Sequence, residues 1–547
     1  MTSESAGRLR IAVAALLLLL AASVTLNGMI TVAQTEYATG WDGYYYLVQV
    51  KSLVEKGEMH SPEYSPVYVP LLAFHAVTGN YEAAYRMSSV LIKLLFVVSV
   101  FVMSLSLLCD AGEKEPAVRR FTALMAASIS ALSPSLNYFF TQFPKNLLGF
   151  ALLLFFMASV MGLARRFREE GTISVSGFVV LRLLGVFLLF AATFFTHRFS
   201  AVLSVLFLLL YALPWAGGRL RSIMHRTETK YWIVGAAALI LLASLLLISE
   251  NLPLAPSLDD LERVTQDLSP VPMFAPAAFT RTFGLFRISL PWLVEIYSAA
   301  LLPLATCLLL LFRRKLSFLR RGKAYYILLL FSLPGLFPFL SFTLTGLSYR
   351  LFFGTLLLLP LVLIPFIGKA IRMIFRVCSS CNESRAVPVL SGAVLLTVFI
   401  SFFTAGTYRP QIHDPPYGFY QELSDQVLQV LSEKDWELII AHKALAEMIT
   451  YRHGADALPW APEEHFSRDG VWRITAGVLR DEVAYYIGPE NADEHFIRLS
   501  GDYGLLREDR WEEFMEAISG EPVMLEALDT WRNPMEQRPE YLGKGEQ

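Results

Sequence analysis

Charge is scarce in this sequence: 17% of its 547 residues are Asp, Glu, Lys or Arg, against about 25% in an ordinary soluble protein. Cysteine is scarcer, with four in the whole chain, too few for a disulfide framework at this length. Cys109 and Cys307 lie at or inside apolar runs, and Cys378 and Cys381 form a lone C-S-S-C. No second Cys or His pair stands near that motif at metal-ligand spacing, so a zinc site is not supported. No glycine-rich loop of the kind that cradles a nucleotide occurs between the apolar runs. Repeats of solenoid spacing are also missing, and no inverted pair of halves is visible.

What the chain has instead is apolar surface. Hydrophobic residues make up 54% of it and the mean hydropathy is +0.47. The formal charge of −2 hides a split: residues 408–547 hold 13 basic and 28 acidic side chains, and the rest of the chain holds 33 and 20. An oily, basic body thus precedes an acidic tail long enough to be a domain of its own. Neither part invites a nucleic-acid partner.

Apolar runs of roughly 20 residues, enough to cross a hydrocarbon core, recur through the body. They fall near 11–33, 84–108, 121–140, 146–164, 177–195, 199–216, 231–249, 291–312, 324–345, 351–368 and 387–406. The first is too long for a signal peptide and lacks a small-x-small cleavage site, so it reads as an uncleaved anchor. With Arg8 and Arg10 on the cytoplasmic side, the inside loops collect Arg119-Arg120, Arg165-Arg166, Arg219 with Arg221, Arg313-Arg314-Lys315 with Arg320-Arg321, and Lys369, Arg372 and Arg376. The opposite loops hold fewer than half as many basic residues, so the N-terminus is expected to be cytoplasmic and the tail extracytoplasmic. The expected fold is a polytopic α-helical membrane protein of about eleven spans over residues 1–406, followed by a small extracytoplasmic α/β domain over 407–547. External loops are expected at 34–83 and 250–290, with short interfacial helices such as the one containing Pro66-Val-Tyr-Val-Pro. In the tail, 436–441 reads as a buried strand, and 419–431 and 510–518 carry helical spacing.

The informative stretch is Gly40-Trp41-Asp42-Gly43-Tyr44-Tyr45-Tyr46, just beyond the first run. Asp42 suits the N-cap of a helix over 44–55, and it equally suits a general base at a membrane-edge cavity. A capped carboxylate is held in one rotamer, so the two roles are compatible. Further on stand Ser65-Pro66, Val69-Pro70-Leu71, Gly79 and Ala83-Ala84-Tyr85-Arg86. In order and spacing this loop resembles the first external loop of the GT-C superfamily of polyprenyl-phosphate-dependent glycosyltransferases. The protein O-mannosyltransferases and the lipid A aminoarabinose transferase are the members it looks most like. Their pattern is an acid soon after the first span, Tyr one turn on, a helix ending in Gly, a Pro-rich interfacial stretch, and an Arg opening the second span.

Two departures matter. Gly43 follows Asp42 where relatives often place a second acid, and Phe143-Pro144-Lys145-Asn146 stands where many carry an acid in the second external loop. A carboxylate-held divalent metal is therefore not supported by the sequence, and no other cofactor is indicated. The resemblance implies a sugar donor linked to a polyprenyl phosphate or diphosphate, whose phosphate leaves as the sugar passes with inversion to an acceptor hydroxyl of a glycan, lipid or protein.

A leaving phosphate needs fixed cations. The outer ends of the runs offer Lys145, His197, Arg198, Arg281, Arg287 and Arg350, and Arg86 opens the second run. Arg350, Arg198, His197 and Lys145 are the candidates for the donor phosphate, because Arg forks onto two phosphate oxygens and Lys is a point charge. Each also suits a side chain reaching for lipid headgroups. Tyr44, Tyr45, Arg86 and Asn146 are the candidates for lining the substrate, although an interfacial aromatic belt explains the tyrosines as well. Lys93 receives no role, and the tail residues His442, Lys443 and His453, which stand after an expected strand where they could bind acceptor, read as structural because no second member of a catalytic set accompanies them. The expected function is a membrane glycosyltransferase. The alternatives are a transporter or flippase for a lipid-linked substrate, and a membrane-anchored binding or assembly protein.

Overall fold

A computed structural model describes residues 3–61, 63–170, 177–223, 294–295, 297–299, 301–303, 305–306, 323–335, 346–379, 386–407, 415–458, 470–476, 496–499 and 503–507. The chain divides into two compact units: one of Met1–Gln34, Tyr64–Pro70 and Met87–Ile412, the other of Thr35–Glu63, Leu71–Arg86 and His413–Gln547. The runs at 231–249 and 510–518, and the whole of the loop at 250–290, lie outside the described residues.

The helices before the tail are, in chain order, α1 (Ser3–Val32), α2 (Gly43–Lys56), α3 (Tyr68–Thr78), α4 (Tyr81–Asp110), α5 (Pro116–Leu132), α6 (Pro134–Gln142), α7 (Pro144–Glu170), α8 (Gly177–Thr196), α9 (Arg198–Ile223), α10 (Lys323–Phe331), α11 (Gly346–Val362), α12 (Ile364–Ser379) and α13 (Ala386–Thr407). Of these, α2, all but the first three residues of α3 and the first six residues of α4 belong to the second unit, and the rest to the first. Four stretches among them are long and apolar enough to cross a membrane: Leu9–Val32, Tyr81–Asp110, Pro144–Arg166 and Gly354–Val377. Helix α1 packs on α13 and α5, and α7 on α8 and α9.

Two expected spans are broken. The run at 121–140 is two helices, because Pro134 has no N–H to continue the ladder and Ser133 caps the second piece by accepting from the Leu136 N–H at 3.1 Å. The new N-terminus, that of α6, is met by the buried Glu295 carboxylate, which accepts from the Ser133 hydroxyl, the Ser135 N–H (3.0 Å) and the Ser135 hydroxyl (2.7 Å). Deeper along α6, Asn137 Oδ1 accepts from the buried Lys93 ammonium at 2.7 Å, which also donates to Asn27 and faces the Phe140 ring. At the second break, Pro365 interrupts the run at 351–368, and α12 then continues to Ser379 where a loop was expected.

Small residues set the closest helix approaches. A methyl group on Gly149 of α7 would lie 2.5 Å from His197 Cβ, and one on Gly354 of α11 would collide with the Phe150 ring. The Phe150 ring in turn lies 6.3 Å from that of His197. The early turns of α7 and α11 and the α8–α9 junction are therefore neighbours.

In the second unit, α14 (Tyr417–Leu431) and α15 (Lys443–His453) accompany five short strands: β1 (Leu438–Ile440), β2 (Ala457–Leu458), β3 (Val471–Ala476), β4 (Phe496–Arg498) and β5 (Tyr503–Arg507). The sheet order is β2-β1-β3-β5-β4, with β1 parallel to β2 and β3, and β5 antiparallel to β3 and β4. Register is fixed by pairs such as Ile439 with Ala457 and Trp472. A parallel neighbour needs a crossover, and α15 supplies it between β1 and β2. Leu438, Ile440 and Val471 form a buried apolar cluster under the strands. The start of α15 consequently sits at the carboxyl end of β1, the usual place for a site in such a layer.

Overpacking a tight helix contact costs about 1–3 kcal/mol, whereas Gly162, whose Cβ would meet nothing within 4 Å, has room. Gly354→Val is expected to lower the thermal midpoint of the full chain in detergent, and Gly162→Ala to leave it unchanged or raise it.

Candidate active site at the start of helix α2

Helix α2 begins where the backbone turns sharply. Gly40 takes φ +86°, a conformation that L side chains rarely adopt, and its carbonyl accepts from the Gly43 N–H at 3.1 Å. A Cβ on Gly43 would lie 3.0 Å from the Ala38 Cβ, so a larger residue there would press on that turn. Asp42 therefore stands at the N-cap of α2, as its sequence position suggests. It makes no capping bond, however, and this corrects the expected capping role. Its carboxylate turns instead to the ammonium of Lys443, the first residue of α15, 401 residues further along the chain.

Lys443 is the hub of the site. Its Nζ pairs with Asp42, lies 3.8 Å from Glu447 Oε1 one turn on, and sits 5.4 Å from the centre of the Tyr45 ring. Burial alone would lower its pKa, but Asp42 and Glu447 outweigh burial and hold it above the ordinary lysine range. Glu447 is 8% exposed, and burial pushes its carboxyl up to about 8 against the pull of Lys443, with the Asp42 charge adding to the rise. The Tyr45 backbone N–H, in the first turn of α2, hydrogen-bonds the Glu447 carboxyl. Its Oε2 has no hydrogen-bond partner among the described residues. His442 is kept neutral by burial and by the neighbouring Lys443 charge, which lower its pKa to about 4.

Aromatic packing holds α2 and α15 at this distance. Tyr44 lies 4.8 Å from Tyr417 and 5.3 Å from Tyr451, centre to centre, and is 3% exposed. It is thus part of the packing between these helices. Tyr45 remains half-buried, and its hydroxyl donates to Glu63 Oε2 at 2.8 Å. The Lys51 ammonium donates to the Tyr451 carbonyl at 2.7 Å, and the Tyr417 hydroxyl donates to the Gly40 carbonyl at 2.5 Å. Arg86 reaches the Tyr37 carbonyl at 3.5 Å.

Asp42, Tyr44, Tyr45 and Arg86 belong to the second unit, and Lys145, Asn146, His197, Arg198 and Arg350 to the first. Within the first unit, Lys145 and Asn146 lie in the first turn of α7, and His197 and Arg198 at the α8–α9 junction. His197 Nδ1 is 3.0 Å from the Ser200 hydroxyl. Arg350 lies in α11, one turn before Gly354, with its side chain outside the described residues, as are Arg281 and Arg287. The Gly149–His197 and Gly354–Phe150 approaches bring the helix turns that carry these cations to one region of the unit. Among the described residues, no group of three or more His, Cys, Asp or Glu is placed to hold a metal ion. The sequence reading treats Lys443 as structural and passes over Glu447. Their spacing of four on a helix that follows a buried strand was the available signal.

No family model matches the chain, and no curated protein matches it. Among solved structures, ArnT from Cupriavidus metallidurans bound to undecaprenyl phosphate aligns at a TM-score of 0.48 and 12% identity, over 92% of this chain and 98% of that one. The archaeal oligosaccharyltransferase AglB from Archaeoglobus fulgidus, in complex with an inhibitory peptide and a dolichol-phosphate, aligns at 0.43 and 9%, over 90% and 74%. The chain is similar to both. At these values no functional residue is carried across.

A carboxyl whose pKa is raised on folding binds its proton more tightly in the folded chain. Glu447 therefore contributes most below its unfolded value of 4.5, and stability falls as pH rises from there towards about 8. Glu447→Gln removes this loss, which is at most about 1.4 kcal/mol per pH unit. Thermal midpoints of variant and wild type are expected to lie closer at pH 5 than at pH 8, with the variant the more stable at pH 8.

Proposed function

We propose that the chain is an integral membrane glycosyltransferase that moves a sugar from a polyprenyl-phosphate or diphosphate donor to an acceptor hydroxyl on the extracytoplasmic face. The observation that carries this reading is Asp42. It is a half-buried carboxylate at the start of a helix, relieved of capping, held by one ammonium, and set in a loop whose order of residues resembles the GT-C superfamily. Such a carboxylate is fixed in direction beside a positive charge, which suits it to accept a proton from an acceptor hydroxyl.

In the transfer, the acceptor O–H proton passes to Asp42 and the freed oxygen forms a bond to the anomeric carbon. The bond from that carbon to the donor phosphate oxygen breaks, with its electron pair leaving on the phosphate. Inversion follows from attack on the face opposite the leaving group. Lys145, His197, Arg198 and Arg350 are the residues assigned to the departing phosphate, with Asn146 beside Lys145, because the first unit brings their helix turns together. Arg and Lys meet the growing charge, and the His197 ring is available as a neutral donor. Tyr45 and Arg86 are assigned to the substrate side in the second unit. The N-terminus is placed in the cytoplasm and residues 407–547 outside, following the distribution of Lys and Arg.

A second reading, a flippase for a lipid-linked substrate, is favoured by one feature. The α5–α6 break carries Glu295 at its helix start and a buried Lys93 deeper in the body, and discontinuous helices with buried charges are a mark of transporters. Purified full-length protein in vesicles, supplied with polyprenyl-linked sugar and a hydroxyl acceptor, separates the two. Transfer is expected from the wild type, and Asp42→Asn should abolish it while leaving the thermal midpoint and lipid-donor binding in place. Full turnover by Asp42→Asn, or movement of the donor across the bilayer with its linkage intact and no transfer, would contradict the proposal.

A further inference from the structure

Where the resembled family often has a second acid in the loop after the first span, this chain has Gly43. Folding delivers a second carboxyl to the same place from the tail. Glu447 lies beside the start of α2, bonded by the Tyr45 N–H, and Lys443 lies between it and Asp42. Three sides of the ammonium are then accounted for: the Asp42 carboxylate, the Glu447 carboxyl at 3.8 Å, and the Tyr45 ring face at 5.4 Å. An ammonium is compact and singly charged, and it offers three rotatable donors. In this position it stands where a bridging cation would, pairing with the Asp42 carboxylate and fixing its direction beside the Glu447 carboxyl.

We propose that Lys443 is a built-in counter-cation, seated between Asp42 and Glu447 in the place a divalent metal ion would take, and that it positions the Asp42 carboxylate for proton abstraction. The positioning half rests on the reading of Asp42 as the base. The cation-site half stands on the geometry alone. Glu447 is nine-tenths buried and its Oε2 has no hydrogen-bond partner among the described residues, so removing Lys443 leaves this buried carboxyl beside the half-buried Asp42 carboxylate with the cation between them gone. Neighbouring carboxyls that lose a counter-ion either share a proton or recruit a cation. Among the described residues, the titratable groups that act on the ammonium are Asp42, Glu447 and Tyr45, with His442 its neighbour in the chain. Among these, Asp42 and Glu447 are the carboxyls, able to hold a hard divalent ion through oxygen.

The test is Mn2+ binding to the detergent-solubilised full chain, read by electron paramagnetic resonance, for wild type, Lys443→Ala, Lys443→Arg and Lys443→Ala/Glu447→Gln. Lys443→Ala is expected to gain one site at least about tenfold tighter than any in the wild type, and the double variant to lose it. Lys443→Arg, which keeps a cation in place, should gain none. No gain in Lys443→Ala, or a gain that survives Glu447→Gln, would overturn the proposal. Should Lys443→Ala unfold, Lys443→Gln takes its place, and millimolar Mn2+ should restore its midpoint. Failure of that rescue counts equally against the proposal.

The positioning half is read from the pH profile of sugar transfer. Losing the positive charge raises the Asp42 pKa, so the acid limb of Lys443→Ala should move to higher pH and Mn2+ should move it back. Lys443→Arg should keep the wild-type limb. An unmoved limb in Lys443→Ala would refute positioning. Absence of transfer in the wild type would remove the base itself, while Mn2+ binding would still decide the cation site.

Discussion

The ion pair between Asp42 and Lys443 is the interaction on which the candidate site depends. It joins the start of α2 to the start of α15 across 401 residues, and it takes Asp42 away from the capping role its position suggests. Because α15 begins at the carboxyl end of β1, the parallel β1–α15–β2 crossover determines where the ammonium stands. The tail is thus more than an acidic appendage. Its sheet sets a cation against Asp42, and its Glu447 bonds to the first turn of α2. The tyrosine packing of Tyr44, Tyr417 and Tyr451 keeps these elements at a fixed separation, which a short ion pair requires.

A different constraint governs the helical unit. Close approach at Gly149 and Gly354 brings three helix turns together, each next to a candidate cation, in a body otherwise poor in charge. Buried Lys93 and Glu295 are both answered by polar groups of the α5–α6 segment. Neither is left without partners, as low dielectric demands. Proline placement makes this possible, since the break at Pro134 frees a helix start for the Glu295 carboxylate.

Much of the framework was legible in the sequence because hydropathy sums over a window. Helices α1, α4, α7, α8, α9 and α13 fall on apolar runs, β1 falls within 436–441, and α14 covers 419–431. The break at Ser133-Pro134 was not read, since its apolar flanks keep the window high while one missing N–H divides the helix. Asp42 was found by its place in a loop, yet its partner was not, because nothing local ties position 42 to positions 443 and 447. Tyr44 and Tyr45 look alike in sequence. Only packing separates the buried ring from the half-buried one beside the ammonium.

The most direct test of the Asp42–Lys443 pairing is a double-mutant cycle on the thermal stability of the full chain, with Asp42→Asn, Lys443→Gln and the double variant. A partly buried pair that fixes the base gives a coupling above about 0.5 kcal/mol, with the double variant less destabilised than the sum of the singles. Additivity within about 0.3 kcal/mol would mean that the two side chains do not act on each other, and would contradict the pairing.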